Sequence, residues 1–354
     1  MIPISKPEIG KDEIEAVKAV LESGMLAQGA LVEEFEDRFA SLLGVEYAIA
    51  TNSGTAALHT ALASAGIKSG DEVITTAFSF FATASCVLMQ GARPVFVDID
   101  PRTYNINPEK VEREISERTK AIIPVHLYGQ PCDMKELMEI AEEHQLLVIE
   151  DAAQAHGAMY RGRMVGSIGD IGVFSFYSTK NIVTGEGGMI TTNDEKIAEK
   201  ARMIRNHGQK ERYIHECLGY NYRMTNIAAA IGLVQLQKLE EFNARRISNA
   251  RYYNERLNLS SPYVAPGVRH VFHQYTIRVR AREKFLQHLD DHGIGYGIYY
   301  PMPLPRQPVF HSDTYCPEAE IASAEVVSLP VHPALSRDDI KRVVEVVNQY
   351  EGLK

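Results

Sequence analysis

The 354-residue sequence has few cysteines, and they are scattered. The four cysteines occur at positions 86, 132, 217 and 316, and no two of them form a C-x-x-C pair. This distribution argues against a zinc ribbon or a dithiol redox motif. Scattered cysteines in a chain whose first segment has no apolar signal region are typical of a reduced, cytoplasmic protein, which is the location we expect.

Long apolar runs and an excess of positive charge are also missing. No uninterrupted apolar run approaches the roughly 18 residues that a membrane helix needs, so we expect no membrane partner. Lys and Arg number 37 against 46 Asp and Glu, a net charge of −9, which argues against a nucleic-acid partner. The composition is otherwise ordinary, with 45% hydrophobic and 23% charged residues, and this excludes a disordered, collagenous or coiled-coil chain.

Helical and strand patterns alternate from residue 12 to about residue 205. Two helical patterns come first, and seven short apolar runs follow, with helical patterns between the first five. The helical patterns are 12–23, 32–43, 56–65, 83–89, 108–115 and 134–144, and the apolar runs are 47–50, 73–76, 94–97, 121–125, 146–149, 171–176 and 189–192. This alternation predicts an α/β fold with a mainly parallel seven-stranded sheet covered on both faces. Because no clear helix separates the last two runs, one of them runs antiparallel or closes an edge.

The pattern changes beyond residue 225. The segment 227–257 predicts one long helix, followed by strands at 275–279 and 295–299 and by helices at 283–292 and 337–350. The proline-rich segment 301–305 predicts a loop. At roughly 150 residues per domain, we expect two domains: a large one over residues 1–235 and a small α+β one over residues 236–354.

Two predicted strand ends carry residues that suit a polar ligand, and ligands bind beyond the carboxyl ends of strands in such sheets. The loop Ser53-Gly54-Thr55 opens the helix 56–65, where free N–H groups suit a phosphate. The same loop also fits a simple N-cap. Asp151 closes a very apolar strand, so its carboxylate needs a metal, a lysine or a protonated ring nitrogen as partner, or else it caps the next turn.

Lys180 and a group of aromatics follow two further strands. Lys180 lies between the strand 171–176 and the glycine-rich segment 184–188, so desolvation would lower its pKa and make it a nucleophile. The alternative is an ordinary exposed lysine. The aromatics at 78–81 fit either the core or a plate on which a flat ring stacks. A phosphate cradle, a buried carboxylate, a nucleophilic lysine and an aromatic plate are together what a pyridoxal 5′-phosphate (PLP) site requires.

Six sequence blocks, in this order, resemble the DegT/DnrJ/EryC1/StrS family of sugar aminotransferases, PLP-dependent enzymes of the aspartate-aminotransferase-like fold type I. The blocks are IPISKP (2–7), SGTAAL (53–58), EDAAQ (150–154), SFYSTKN (175–181), GEGG (185–188) and GYNYRMT (219–225). The resemblance implies a homodimer with shared active sites. It also implies transfer of an amino group from an amino acid, with glutamate as the expected donor, through pyridoxamine phosphate to a keto-sugar nucleotide.

The resemblance implies a role for each matching residue. Lys180 corresponds to the Schiff-base lysine, which groups this chain with the aminotransferases and not with the dehydratase branch, where a histidine replaces the lysine. The implied cofactor contacts are Asp151 to the pyridine nitrogen, Gln154 to the ring hydroxyl, Phe80 in the stacking position, and Ser53, Gly54, Thr55 and Ser175 to the phosphate. Asn221, with Arg223 as the alternative, corresponds to a phosphate contact from the neighbouring subunit.

The substrate side of the implied site departs from the family pattern. Many members have a histidine before the Tyr-Pro pair, where this chain has Tyr299 followed by Tyr300. Tyr299, Tyr300 and His273 are the residues that the resemblance implies on the substrate side.

Two other functions remain open on the sequence. Another fold type I reaction, such as elimination or aldol cleavage, would use the same cofactor site, and a regulatory protein would bind a ligand without converting it. We expect no metal site, because His288 and His292, four residues apart on a predicted helix, have no third ligand nearby in sequence and are interpreted as an exposed pair.

Overall fold

A computed structural model describes residues 1–350 and 352 of the chain. In chain order the helices are α1 (Lys11–Ser23), α2 (Ala30–Leu43), α3 (Gly54–Ser64), α4 (Ala82–Met89), α5 (Pro108–Val111), α6 (Met134–His144), α7 (Glu195–Arg205), α8 (Asn226–Arg256), α9 (Arg282–Asp291), α10 (Pro317–Glu325) and α11 (Arg337–Gln349). The strands are β1 (Tyr47–Thr51), β2 (Glu72–Thr76), β3 (Arg93–Val97), β4 (Thr119–Ile123), β5 (Leu147–Asp151), β6 (Met159–Tyr160), β7 (Arg163–Met164), β8 (Ile171–Ser175), β9 (Gly188–Thr192), β10 (Gln209–Glu211), β11 (Ile214–His215), β12 (Val268–Arg269), β13 (Tyr275–Arg278) and β14 (Val326–Leu329). Across the described residues, no helix combines the length and apolarity that a membrane crossing requires.

Seven strands form the central sheet in the order β1-β9-β8-β5-β4-β2-β3. Strand β9 is antiparallel to both of its neighbours, β1 and β8, and the other adjacent pairs are parallel. The predicted seven-stranded, mainly parallel sheet is therefore confirmed. Of the two expectations for the last strands, the antiparallel one is correct, since β1 and β3 occupy the edges. The other six strands point the same way, so their carboxyl ends meet at one side of the sheet.

Apolar side chains cover both faces of this sheet. Along β8, Phe174 belongs to the cluster that packs against α2 and α8, while Ile171 and Val173 belong to the cluster on the α3 and α7 side. Alternate residues of a strand point to opposite faces, so a strand that is apolar at every position must be covered twice. Helices on both faces hold the strand ends, and the loops that follow them, in fixed positions.

A separate apolar cluster lies in the C-terminal part of the chain. It contains Tyr253 of α8, Tyr275 of β13 and Phe285 of α9, which are all fully buried. Ile2 packs against this cluster, and its N–H donates a 2.8 Å hydrogen bond to the Gly293 carbonyl. The N-terminal segment therefore pairs with the C-terminal part of the chain. The predicted domain boundary falls inside α8 and stays a prediction.

Several predicted elements differ in the structure. Residues 295–299 form no strand, since Gly297 makes only an isolated bridge to Ser328, and the unpredicted strand β14 pairs with β13 instead. Helices α7 and α10 were also not predicted, and the helix expected at 108–115 is shorter, because α5 ends at Val111 and a 3₁₀ turn follows to Glu114. Two glycines weaken the 295–299 segment as a strand, and Ser328 interrupts the apolar residues of β14, so no continuous apolar run marks that strand.

Candidate active site

A cavity of about 510 Å³ lies at the carboxyl ends of the parallel strands. The segments that follow β1, β2, β5 and β8 line it, together with residues 273–274 and 299–300 of the C-terminal part. The structure brings together most of the predicted site residues in this lining, namely Ser53, Gly54, Thr55, Phe80, Asp151, Gln154, Ser175, Lys180, His273, Tyr299 and Tyr300. Asn221 and Arg223 are not part of the lining.

The start of α3 has the features of an anion site. Ser53 is the N-cap, and its Oγ accepts a hydrogen bond from the Ala56 N–H at 3.1 Å. Within the described part of the chain, the N–H groups of Gly54 and Thr55 have no main-chain partner, as expected for the first turn of a helix. A Cβ on Gly54 would lie 2.7 Å from Ser175 Cβ, so only glycine lets the loop after β1 approach the end of β8 this closely. These residues form a polar cradle that suits a phosphate group.

Asp151 ends β5 and is only 4% exposed. Its Oδ2 accepts a hydrogen bond from Thr83 Oγ1 at 2.8 Å, and its Oδ1 accepts one from the Ala153 N–H at 3.2 Å. Burial raises the pKa of the Asp151 carboxyl, although both hydrogen bonds and the charge of Lys180 act in the opposite direction. A carboxylate in such a setting strongly favours a cationic N–H partner over water.

The neighbouring carboxylate, Glu150, is fully used inside the protein. Its Oε1 accepts hydrogen bonds from the N–H groups of Ile168 and Gly169, both at 2.7 Å, and its Oε2 lies 2.9 Å from His126 Nε2 and accepts from the Gly166 N–H. Burial acts to raise the pKa of Glu150, but these hydrogen bonds outweigh it and lower the pKa overall. Glu150 therefore fastens β5 to the loop before β8 and leaves Asp151 as the carboxylate of this pair that faces the cavity.

Lys180 lies in the turn after β8, where its N–H donates a 2.8 Å hydrogen bond to the Tyr177 carbonyl. The partly buried side chain lines the cavity. Within the described residues, no hydrogen bond to Nζ contributes to the shift of the Lys180 pKa. Burial lowers the pKa of Lys180 to about 8, and the charge of Asp151 acts in the opposite direction. A larger fraction of Nζ is therefore uncharged at neutral pH than in an exposed lysine, which makes it a better nucleophile.

Gln154 and several aromatic residues also line the cavity. Gln154 Oε1 accepts a hydrogen bond from the Tyr128 N–H at 2.9 Å, and its Nε2 donates to the Tyr300 hydroxyl at 3.0 Å. Tyr128 in turn donates from its hydroxyl to the Tyr299 carbonyl. The ring of Phe80 lies 6.1 Å from that of Tyr300 and is 56% exposed, so it remains open for stacking with a flat ring.

Asn221 and Arg223 lie beside the loop that follows β1, in the same chain. Isolated β-bridges pair Thr51 with Arg223 and Asn206 with Asn221, and Asn52 Nδ2 donates to the Asn221 carbonyl at 3.2 Å. Arg223 Nη1 donates to Asn206 Oδ1 at 2.6 Å. Within one chain these side chains do not enter the cavity, so the predicted phosphate contact depends on a second subunit and stays a prediction.

Among the lining residues that the sequence did not predict are Thr83 and Glu186. Thr83 is the partner of Asp151, and the only signal for it was a hydroxyl residue one turn after the aromatics at 78–81. Glu186 is an exposed carboxylate inside the glycine-rich segment 184–188, where the glycines indicate close backbone approach and give no sign of a charged contact.

The histidine pair considered for a metal has other partners in the structure. His288 Nε2 lies 2.8 Å from the Val346 carbonyl, and His292 Nδ1 lies 2.8 Å from the His288 carbonyl. Both residues are partly buried, so the expectation of an exposed pair was wrong, and these ring nitrogens are occupied by main-chain oxygens. Glu112, Glu143 and His144 form an exposed group of possible ligands away from the cavity lining.

The chain is similar to known aminotransferases along nearly its whole length. The DegT/DnrJ/EryC1/StrS aminotransferase family matches residues 7–348. Among curated proteins, the pleiotropic regulatory protein of Geobacillus stearothermophilus is 45% identical, covering 98% of this chain and 95% of that protein. The GDP-perosamine synthase of Caulobacter vibrioides is 43% identical, and the match covers 98% of this chain and 98% of that protein. The crystal structure of S. venezuelae DesV in complex with a ketimine intermediate has a TM-score of 0.92 and 38% identity, covering 95% of this chain and 93% of that one. The predicted fold type I is thereby confirmed.

Proposed function

This chain belongs to the DegT/DnrJ/EryC1/StrS aminotransferase family, and from that premise we propose that it aminates a keto-sugar nucleotide with PLP as cofactor. Glutamate is the expected amino donor. The nucleotide-sugar substrate is supported by relatives whose names specify such compounds, among them the GDP-perosamine synthase of Caulobacter vibrioides.

The observation that carries this proposal is that Lys180, Asp151 and the cradle at Ser53–Thr55 share one cavity. The free N–H groups of the cradle match a phosphate, the lysine matches an aldehyde, and the buried carboxylate matches a protonated ring nitrogen. The volume of about 510 Å³ falls within the range of about 300–1,000 Å³ that is usual for small-molecule and cofactor sites. The residues present therefore fit PLP.

The residues around the cavity have distinct tasks in the reaction. When bound, PLP supplies an aldehyde that bonds to amines and a ring that takes up an electron pair from the adjacent carbon. Asp151 would hold the ring N–H, while Thr83 and the Ala153 N–H keep its carboxylate oriented. Lys180 would hold the resting cofactor and, once displaced by an incoming amine, would carry a proton on Nζ between the reacting carbons. A pKa of about 8 keeps both protonation states of Lys180 accessible near neutral pH.

The remaining lining residues would bind and orient. Gly54 and Thr55 N–H groups, with the hydroxyls of Ser53 and Ser175, would hold the phosphate, and Phe80 would stack on the ring. Three residues, Tyr299, Tyr300 and His273, would face the sugar or the amino donor. Gln154 would contact the ring hydroxyl and, through its bond to Tyr300, would tie the cofactor to the substrate side.

The proposal includes a homodimer whose subunits share active sites. Several apolar side chains near the cavity or in the β10–β11 hairpin region are exposed in the single chain, namely Phe80, Phe81, Tyr177, Tyr213, Ile214 and Leu218. Exposed apolar groups of this size are typical of a surface that a partner covers. A second copy would bring Asn221 or Arg223 to the phosphate end of the cavity.

A regulatory role is the second candidate, because one relative is named a pleiotropic regulatory protein. Both functions allow PLP binding, so colour alone does not separate them. The deciding experiment is incubation of the PLP-loaded protein with glutamate and a panel of nucleotide keto sugars. Equal amounts of 2-oxoglutarate and an amino sugar, identified by mass, support the proposal. A protein that binds PLP but releases no 2-oxoglutarate with any of these sugars contradicts it, and analysis of other products then tests elimination and aldol cleavage.

A further inference from the structure

A line of buried polar side chains connects α8 to the cavity. Asn243 Nδ2 donates to the His156 carbonyl at 2.8 Å, Asn181 Nδ2 donates to Asn243 Oδ1 at 2.8 Å, and Asn181 Oδ1 lies 3.1 Å from His273 Nδ1. All of these residues are at least 95% buried. His273 is the member of the line that borders the cavity.

The direction of every hydrogen bond in this line follows from its carbonyl ends. A carbonyl oxygen only accepts, so the His156 carbonyl requires that Asn243 present its NH₂ group there and its Oδ1 to Asn181. The Val271 carbonyl, 3.4 Å from Asn181 Nδ2, sets the orientation of Asn181 in the same way. Asn181 Oδ1 is consequently an acceptor, and the ring nitrogen that faces it must carry a hydrogen.

This arrangement decides which tautomer His273 adopts. With its hydrogen on Nδ1, the neutral ring has a bare lone pair on Nε2. Among the described residues, the bond to Asn181 is the one hydrogen bond that the ring makes, and His273 lines the cavity. The main chain is held independently, since the buried Arg246 donates from Nη1 to the carbonyls of Phe272 and His273 at 3.4 and 3.3 Å. Both the ring and the backbone of His273 are therefore fixed from α8.

We propose that Asn243 and Asn181 are positioning residues that hold His273 as the neutral Nδ1–H tautomer, so that Nε2 accepts a hydrogen bond from an O–H or N–H group of a substrate in the cavity. The tautomer is a property of the protein alone. The substrate contact rests on the proposed function. Because an Nε2 acceptor selects for a donor group, this device would favour a ligand that places a hydroxyl or an ammonium group there.

The charges around His273 all support a neutral ring. Burial lowers its pKa well below the usual value, and Lys180, Arg246 and His156 act in the same direction. No carboxylate is among the groups that shift it in the described part of the chain. His273 is therefore expected to stay neutral over the pH range in which the enzyme works, and its Nε2 to stay an acceptor throughout.

The first test measures the tautomer directly. In ¹⁵N-histidine-labelled, PLP-loaded protein, two-bond ¹H–¹⁵N correlation spectra distinguish Nδ1–H from Nε2–H rings, and His273→Gln identifies the signal. We expect a neutral Nδ1–H ring from pH 6 to about pH 8.5. An Nε2–H tautomer or an imidazolium in this range overturns the proposal, whether or not the protein shows transaminase activity. Failure of the proposed function is thereby distinguished from failure of the tautomer assignment.

The second test replaces the amide of Asn181, which links Asn243 to His273, by a carboxylate. Asn181→Asp places a carboxylate beside Nδ1, which stabilises the imidazolium and should raise the pKa of His273 by about 1–3 units. Nε2 then becomes a donor as the pH falls, and the KM of the substrate that it contacts should rise by about tenfold while kcat changes less. Measuring KM separately for the amino donor and for the keto sugar shows which of them supplies the donor group.

Asn249→Asp is the matched control for this variant. Asn249 is, like Asn181, a buried asparagine, but it lies on α8, and its Nδ2 donates to the carbonyls of Val331 and His332, with no link to His273. A general effect of a buried Asp would alter both variants equally, whereas a tautomer effect appears in Asn181→Asp alone. Identical pH profiles of KM in the two variants, or an unchanged His273 signal in Asn181→Asp, contradict the proposal.

Discussion

Thr83 Oγ1 donates a 2.8 Å hydrogen bond to Asp151 Oδ2, which joins the first turn of α4 to the end of β5. The two residues are 1% and 4% exposed, so the bond lies inside the protein. Ser79 Oγ is 3.0 Å from Thr83 Oγ1 and can donate to it while Thr83 donates to the carboxylate. The carboxylate of Asp151 is thus oriented by protein groups alone, before any ligand enters the cavity.

The Thr83–Asp151 bond predicts an effect on cofactor affinity. Thr83→Val keeps the shape of the side chain but removes the donor, and a buried carboxylate that loses a donor is destabilised by about 1–3 kcal/mol. We expect the affinity of the apoprotein for PLP to fall by between about fivefold and about 150-fold, as measured by fluorescence titration. Thr83→Ser retains the hydroxyl and serves as the control. Wild-type affinity in Thr83→Val would show that the hydrogen bond from Thr83 to Asp151 does not support cofactor binding.

Substitution of Lys180 should abolish turnover. Lys180→Ala removes both the amine that would hold PLP and the proton carrier, so we expect the amination rate to fall at least about 1,000-fold. The visible absorption band of the holoenzyme should disappear, and borohydride should no longer attach the cofactor to the chain. Lys196→Ala, an exposed lysine of α7, is the control and should leave rate and spectrum unchanged. Transamination at the wild-type rate in Lys180→Ala would falsify the assignment.

A methyl group at position 54 should disrupt the cradle. In Gly54→Ala the new Cβ would lie 2.7 Å from Ser175 Cβ, so the loop after β1 must move away from β8 at a cost of about 1–3 kcal/mol. We expect weaker PLP binding, measured by the same titration, and a lower melting temperature. The control is Gly10→Ala, where the nearest atom would be an ordinary 3.5 Å from the new Cβ. Equal PLP affinity in the two variants would mean that the cradle does not bind the phosphate.

The low pKa of Lys180 predicts a dependence of apoprotein stability on pH. The pKa is about 8 in the folded protein against an ordinary value of 10.5, so the folded state binds fewer protons between these values than the unfolded state. Burial of the charge therefore costs stability below pH 8, and this cost is lost as the pH rises from about 8 to about 10.5. Relative to Lys180→Met, the wild-type apoprotein should gain at most about 3 kcal/mol over this range in urea unfolding.

The exposed Lys196 provides the control for the pH experiment. The stability difference between the wild type and Lys196→Met should stay flat over the same pH range, since a solvated lysine has no comparable burial cost. A flat difference for Lys180→Met as well would show that Lys180 is not buried in the charged form.

Shared active sites predict complementation between inactive subunits. We expect both Lys180→Ala and the double variant Asn221→Ala/Arg223→Ala to be inactive as homodimers. Mixed dimers formed by unfolding and refolding the two together would have one intact site, and random pairing should restore about a quarter of the wild-type sites. Activity assays of the mixture measure this recovery. No recovery, despite mixed dimers detected by mass, would show that Asn221 and Arg223 act within their own chain.

Much of the cavity was predictable from the sequence because its residues follow strands that the alternating pattern makes recognisable. Asp151 ends one buried strand and Lys180 lies in the turn after another, and the carboxyl ends of parallel strands meet at one side of a sheet. The loop at Ser53 was visible for the same reason. Interrupted apolar patterns were less informative: β14, which contains Ser328, was missed, and the segment 295–299, which contains two glycines, was wrongly predicted as a strand.

The sequence by itself determined which chemical groups are present. It also determined the order of strands and helices that brings Lys180 and Asp151 to the same side of the sheet, where the parallel strands end. Local rules suffice for this, since hydrophobic periodicity and capping residues act over a few neighbours. Only the tertiary structure decided the partners of these groups: Thr83 on Asp151, Ser175 against Gly54, and Asn181 on His273, residues 68, 121 and 92 positions apart. Packing of distant segments sets these hydrogen bonds and approaches, and no pattern along the chain records which side chains will meet.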